Sequence, residues 1–169
     1  LVLIALPNSG LHQLSRFIID NYHVDVQTLE LDLSLTESCY KIADFISDNN
    51  IPIKYLVNNA GVLSRGFFED LDAGFILKQI EVNVTAPTLL ISLLLTNLKR
   101  TAPAGILNIS SMAGFFTLPQ KQVYGGTKAY LTSFSKSLGK ELKKDNISVT
   151  AICPGGLNTT SKLCYQNRI

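Results

Sequence analysis

Residues that would build a metal site or a disulfide framework are scarce in this chain. Its three cysteines, Cys39, Cys153 and Cys164, are far apart and odd in number, and neither a CxxC pair nor a cysteine–histidine cluster occurs. That pattern points away from a metal and from a disulfide scaffold and suits a reducing, cytoplasmic setting. His12 and His23 belong to no motif. An excess of charge is missing too: 15 basic residues against 13 acidic leave a net +2. The one basic run, KELKK from Lys140, reads as a solvated helix end, so no nucleic-acid partner is expected. Low-complexity tracts, internal repeats and domain linkers are absent. The most apolar run, Thr88–Leu98, is shorter than the roughly 20 residues that span a bilayer, and it reads as a buried helix. No membrane span and no signal peptide are expected, although the chain opens at LVLIAL without an initiator methionine.

What is present is apolar material, 46% of 169 residues, enough for one domain over residues 1–169 with a sizeable core. Leu1–Leu6 reads as a buried strand closed by the turn PNSG. Apolar positions Leu11, Leu14, Ile18 and Tyr22 then recur at helical spacing, VDVQTLELDLS alternates as a second strand, and Cys39, Ile42, Phe45 and Ile46 mark a second helix over Thr36–Asn49. IKYLVNNAG is a third strand. Helical segments follow over Asp72–Asn83 and Ala86–Arg100, then the strand GILNISS, a long helix over Val123–Lys144, and the strand ISVTAICPGG. Strict alternation of strand and helix predicts an α/β fold, a doubly wound parallel sheet with helices on both faces, Rossmann-like. Ligands of such sheets gather at the carboxyl ends of the strands. NNAG, NISS and CPGG all lie at such ends and point to one shared crevice.

Within Ser110–Tyr130 the chain places Lys128 four residues after Tyr124, and Ser111 thirteen before it. On a helix the tyrosine and lysine share a face. A free tyrosine has a pKa of about 10, too high for efficient acid–base work at neutral pH. A neighbouring ammonium favours the phenolate. Taken singly, each feature has an ordinary reading: a surface Tyr/Lys pair, a serine turn, an exposed helical asparagine at Asn83.

Together they do not. LVNNAG (Leu56–Gly61), VNV (Val82–Val84), ILNISSMAG (Ile106–Gly114), YGGTK (Tyr124–Lys128) and PGGLNT (Pro154–Thr159) occur in the order and spacing that resembles the classical short-chain dehydrogenase/reductase family. The resemblance implies a nicotinamide-dependent oxidoreductase acting on a small-molecule carbonyl or alcohol. A different class, a binding or scaffold protein that kept the fold and lost turnover, is the alternative. By resemblance Tyr124 is the general acid/base, Lys128 its electrostatic partner and a ribose ligand, Ser111 the residue steadying the substrate oxygen, and Asn83 the holder of a relay water. Ser110, next to Ser111 on a strand, faces the other way. Asn59, Ala60 and Gly61 match the stretch beneath the adenosine, and Asp32 matches the aspartate that contacts the adenine ring, with a loop or helix-capping acid as its alternative. Pro154, Gly155 and Thr159 match the stretch against the nicotinamide carboxamide, and Cys153 beside them reads as a buried small residue. Phe115, Phe116, Leu118 and Pro119 either line the substrate side or pack their loop on the core.

The family's glycine-rich phosphate loop is absent, and with it the whole first β-α unit, so the first strand here matches the family's second. In the 3-2-1-4-5-6 order the strand without a counterpart lies between those at Leu1 and Ile53. The expectation is a fragment, short of about 30 residues at its front and of the substrate lid at its end. Leu6, Pro7, Asn8 and Ser9, at the strand end that separates NAD from NADP users, include neither an acid nor an arginine, which leans towards NADP over NAD. Leu89, Leu90, Ile91, Leu93 and Leu94 cover more than one helix face and predict a homodimer or homotetramer through Ala86–Arg100.

Overall fold

The computed structural model of the protein describes residues 1–156. Strands β1 (Val2–Ala5), β2 (Gln27–Glu30), β3 (Tyr55–Asn58), β4 (Ala104–Ile109) and β5 (Ile147–Ile152) alternate with helices α1 (Leu11–Tyr22), α2 (Thr36–Asp48), α3 (Ala73–Ile80), α4 (Ala86–Arg100) and α5 (Gln122–Leu142). All pairings are parallel. β1 pairs with β2 in register Val2↔Gln27, and β4 sits between β3 and β5 in registers Tyr55↔Gly105 and Ala104↔Ile147. Parallel order and helices on the faces are what the alternation predicts.

The strands form two groups, β1–β2 and β3–β4–β5, with no backbone pairing between β1 and β3. A cavity of about 750 Å³ runs along this seam, walled by Val2, Ile4, Leu56, Ile42, Leu90 and Leu94. One helical layer spans both groups. Cys39, Ile42 and Ile46 of α2, one stripe at helical spacing, pack with Ala86, Leu90 and Leu94 of α4 against Val2, Ile4 and Leu29 on one side and Ile53 and Leu56 on the other. A second core joins Ile91 and Leu98 of α4 to Ala104, Ile106, Leu142 and Ile147.

Two expectations change here. The two helices predicted over Asp72–Asn83 and Ala86–Arg100 are one helical run, Ala73–Arg100, of 28 residues. A π-helical turn, Glu81–Thr85, joins them, closed by Ala86 N donating to Glu81 O. Pro87 gives the reason: it has no N–H for the carbonyl four residues back, so a regular helix fails there. By length and composition this run could cross a bilayer, yet α4 is taken up by both cores. The five apolar residues of α4 are likewise accommodated within one chain. Leu90, Ile91 and Leu94 are buried and Leu89 and Leu93 half-buried against the first core, so the surplus surface argued from the sequence is not there.

Candidate active site

Three strand ends converge, and glycines set how closely. β4 ends at Ile109, and the chain turns through Ser110 and Ser111 into a single helical turn, Met112–Gly114. Ser111 Oγ accepts from Ala113 N at 3.1 Å, which caps that turn and leaves its hydroxyl proton free to donate. A Cβ on Gly114 would lie 2.8 Å from the backbone of Lys128 and Ala129, so only glycine lets this turn press on the first half of α5. Beside it, Met112 N donates to Pro154 O at 3.0 Å, which seats the end of β5 against the same turn.

Ser110 and Ser111 point apart, as adjacent strand residues must. Ser110 is buried; its hydroxyl donates to Lys128 O at 2.8 Å and lies 2.7 Å from Thr132 Oγ1. Ser111 and Tyr124 are both half-buried.

Lys128 is 4% exposed, and among the described residues its ammonium has one acceptor, Ile109 O at 2.7 Å. Its Nζ lies 5.8 Å from the centre of the Tyr124 ring. Burial pushes the lysine below its ordinary pKa, partly offset by Cys153. An ammonium carries three donors. One is used on Ile109, and the space beside the cation opens at Gly61, where a Cβ would stand 3.4 Å from Nζ and 3.3 Å from Asn83 Oδ1. A buried cation with spare donors, facing a glycine that keeps space open, suits the polar hydroxyls and carboxamide of a dinucleotide.

Asn83 is 1% exposed, not the solvated residue of its ordinary reading. Its side chain is committed to protein. Oδ1 accepts from Val62 N at 2.9 Å, while Nδ2 donates to Val62 O at 2.9 Å and to Thr127 Oγ1 at 3.1 Å. One turn earlier, Gln79 donates to the same Val62 O at 2.9 Å, and its Oε1 accepts from Ser64 Oγ at 2.7 Å. The two amides thus fix the Gly61–Ser64 segment that follows β3. Sequence reasoning missed Gln79, Ser64 and Thr127, although two amides four residues apart on an apolar helix face were a visible signal. It also missed a buried ladder through the sheet, in which Asn58 Nδ2 donates to Asn108 Oδ1 at 2.8 Å and Asn108 Nδ2 to Ser135 Oγ at 2.9 Å.

Asn59, Ala60, Gly61 and Asp32 line one cavity with Leu6 and Ser9. Asp32 Oδ1 accepts from Ser34 N at 2.9 Å and Ser34 Oγ at 2.8 Å, so the acid also closes its own turn. Those two bonds, with Lys78 adding less, hold its carboxyl below the usual range. Pro154 and Gly155 sit beside Ser111, with Gly155 3.4 Å from Met112 Sδ when given a Cβ; Thr159 lies outside the described residues. Phe67, Phe68, Phe115 and Phe116 are all more than half exposed. Their two loops are tied by Gly66 N donating to Gln120 O at 3.0 Å.

Residues 1–165 match the model of the family described as short chain dehydrogenase. The mouse very-long-chain 3-oxoacyl-CoA reductase is 33% identical over 159 residues, 91% of this chain and 50% of that protein. The short-chain dehydrogenase of Sphingobium yanoikuyae, solved in complex with NADPH, is similar at 30% identity and TM-score 0.85, covering 92% of this chain and 61% of that one. The bulky-bulky ketone specific alcohol dehydrogenase of Comamonas testosteroni is similar at 26% identity and TM-score 0.87, covering 95% and 64%. The chain spans about half the length of the curated relative it matches.

Proposed function

This chain belongs to the short-chain dehydrogenase family, and we propose that it carries the centre of a NAD(P)-dependent oxidoreductase acting on a carbonyl or alcohol group, with Tyr124 as general acid/base. The observation that carries the reading is Lys128, a buried ammonium with one acceptor among the described residues, set beside Tyr124 and facing Gly61. Such a cation is costly to bury unless something uses it.

Asp32, Asn59–Gly61, Lys128 and Pro154–Gly155 would hold the dinucleotide, with Asp32 at the adenine and Lys128 at the nicotinamide ribose. When bound, the nicotinamide supplies the hydride. Tyr124 gives its phenol proton to the substrate oxygen, and takes it back in the oxidative direction. The Lys128 cation favours the negative charge left on the phenol oxygen, and the Ser111 hydroxyl donates to the substrate oxygen as charge grows there. Asn83 serves by holding Val62 and Thr127 in place, and a relay water on its backbone belongs to the same proposal.

NADP is favoured over NAD, supported by the lack of an acid at Leu6–Ser9 and by the NADPH-bound relative. For the substrate, the exposed Phe67, Phe68, Phe115 and Phe116 support a carbonyl on a large apolar body. The proposed setting is the cytoplasm. The proposed assembly is a homodimer or homotetramer, supported by the surface where Tyr130 stacks on Phe134 at 5.7 Å and meets Thr88 at 3.1 Å.

Tyr124→Phe in the full-length protein tests the centre. Turnover of ketones with NADPH should fall by about a hundredfold or more, with NADPH affinity nearly unchanged. Retained turnover would remove Tyr124 from the chemistry.

A further inference from the structure

Lys128 is held at both ends by two consecutive residues where β4 ends. Its ammonium donates to Ile109 O at 2.7 Å, and its backbone carbonyl accepts from the Ser110 hydroxyl at 2.8 Å. Ser110 is itself fixed: it is 2% exposed, and its N–H donates to Ile152 O on β5 at 2.8 Å. The turn after Ser111 crowds the same carbonyl, since a Cβ on Gly114 would lie 3.0 Å from Lys128 O. A hydrogen bond buried in this way is electrostatically stronger than one in water.

Thr132 shares the pocket. Its hydroxyl lies 2.9 Å from Lys128 O and 2.7 Å from Ser110 Oγ. The Thr132 bond runs back one turn within α5, so it ties the carbonyl to nothing outside the helix. The Ser110 bond instead crosses from the end of β4 to α5, between residues 18 apart in sequence. The next residue is Ser111, proposed above to donate to the substrate oxygen. Its spacing from the Lys128 ammonium is thereby set through adjacent peptide units, and not through the loop that leads from β4 into α5.

We propose that Ser110 is a positioning residue, whose bond to the Lys128 carbonyl holds the lysine ammonium where it meets the ribose of the dinucleotide and stands beside Tyr124. The proposal rests on the oxidoreductase reading and adds to it a residue that acts through Lys128.

Ser110→Ala and Thr132→Val test it together. Each removes one hydroxyl, and in each the Lys128 carbonyl keeps a hydroxyl donor from the other residue, so both variants should fold. The probe is NADPH, titrated into the full-length protein and followed by the fluorescence of the reduced nicotinamide. Ser110→Ala should weaken NADPH by about threefold to tenfold, because a displaced ammonium loses charge-assisted bonds. Thr132→Val leaves the crossing bond in place and should change the affinity by less than about twofold. On a Lys128→Met background the loss from Ser110→Ala should vanish, because no ammonium is left to place. A serine that only supported the fold would cost the same with and without the lysine. Unchanged affinity in Ser110→Ala, an equal loss in Thr132→Val, or a loss that persists without the lysine would overturn the role of Ser110 and leave the oxidoreductase reading standing. Failure of the unmodified protein to bind NADPH would overturn both.

Discussion

The ammonium of Lys128 stands 3.4 Å from where a side chain on Gly61 would begin, and the amide oxygen of Asn83 stands 3.3 Å from the same point. Gly61→Ala therefore pushes on two buried polar groups of the site at once. Dinucleotide affinity should fall by about tenfold, since small displacements of positioning groups are felt strongly. A titration of NADPH against the variant checks this, and unchanged affinity would show that the Lys128 end can give way freely.

Lys128→Met should make the fold more stable while it removes function. It replaces a buried cation that has one hydrogen bond among the described residues with an apolar side chain of similar length, for a gain of about 1 kcal/mol near neutral pH. The sign with pH follows from burial lowering the folded-state pKa below the ordinary 10.5. Between the two values the unfolded chain binds more protons, so wild-type stability rises with pH through that window, and the cost of the buried charge is fully present below it. The advantage of Lys128→Met should accordingly shrink as pH approaches 10.5. Paired denaturant midpoints from neutral to alkaline pH measure this, and an advantage that grew with pH would contradict the lowered value.

Asn108→Leu should cost about 2–4 kcal/mol. Asn108 is fully buried and links Asn58 on β3 to Ser135 on α5. The leucine leaves the Asn58 amide without its acceptor and the Ser135 hydroxyl without the bond it accepts, although that hydroxyl still donates to Leu131 O at 2.6 Å. A urea midpoint lowered with an unchanged slope is the expected result.

Thiol labelling should separate Cys153 from Cys39. Cys39 is 1% exposed between α2 and α4, and burial, with Glu81 adding to it, pushes its thiol above the ordinary pKa. Cys153 is only half-buried. Iodoacetamide at mild alkaline pH should modify Cys153 at least about tenfold faster, as read by peptide mass mapping. Equal rates would mean that the α2–α4 core opens readily.

Much of this was legible in the residues. Alternation of apolar strands with helical stripes was enough to place α2 and β1 through β5, because burial on both faces leaves a continuous apolar run and burial on one face leaves a stripe. The site motifs could be placed because each lies at a strand end. Side-chain partnerships could not be read. Nothing local in the sequence says that Gln79 and Asn83 meet the same carbonyl at Val62, or that Lys78 reaches Asp32, since those contacts depend on how α3 lies over two different loops. The join between α3 and α4 was misread as a break for a related reason. Pro87 and the polar Asn83 look like a helix end, and only the packing of α4 shows that the helix continues.

The π-helical turn at Glu81–Thr85 contains one residue more than a regular helix needs. Each residue advances a helix by roughly 100°, so the extra one resets the phase between α3 and α4. Ahead of it Lys78 and Gln79, and within it Asn83, address the loops of the crevice; beyond it Leu90 and Leu94 address the sheets. A single-residue deletion in this turn would leave nearly the same length of helix and the same composition, yet it would swing one of these two sets away from its target. Tolerance to insertion and deletion should therefore be lowest here, in the middle of a helix, and not at the strand ends where the chemistry is placed.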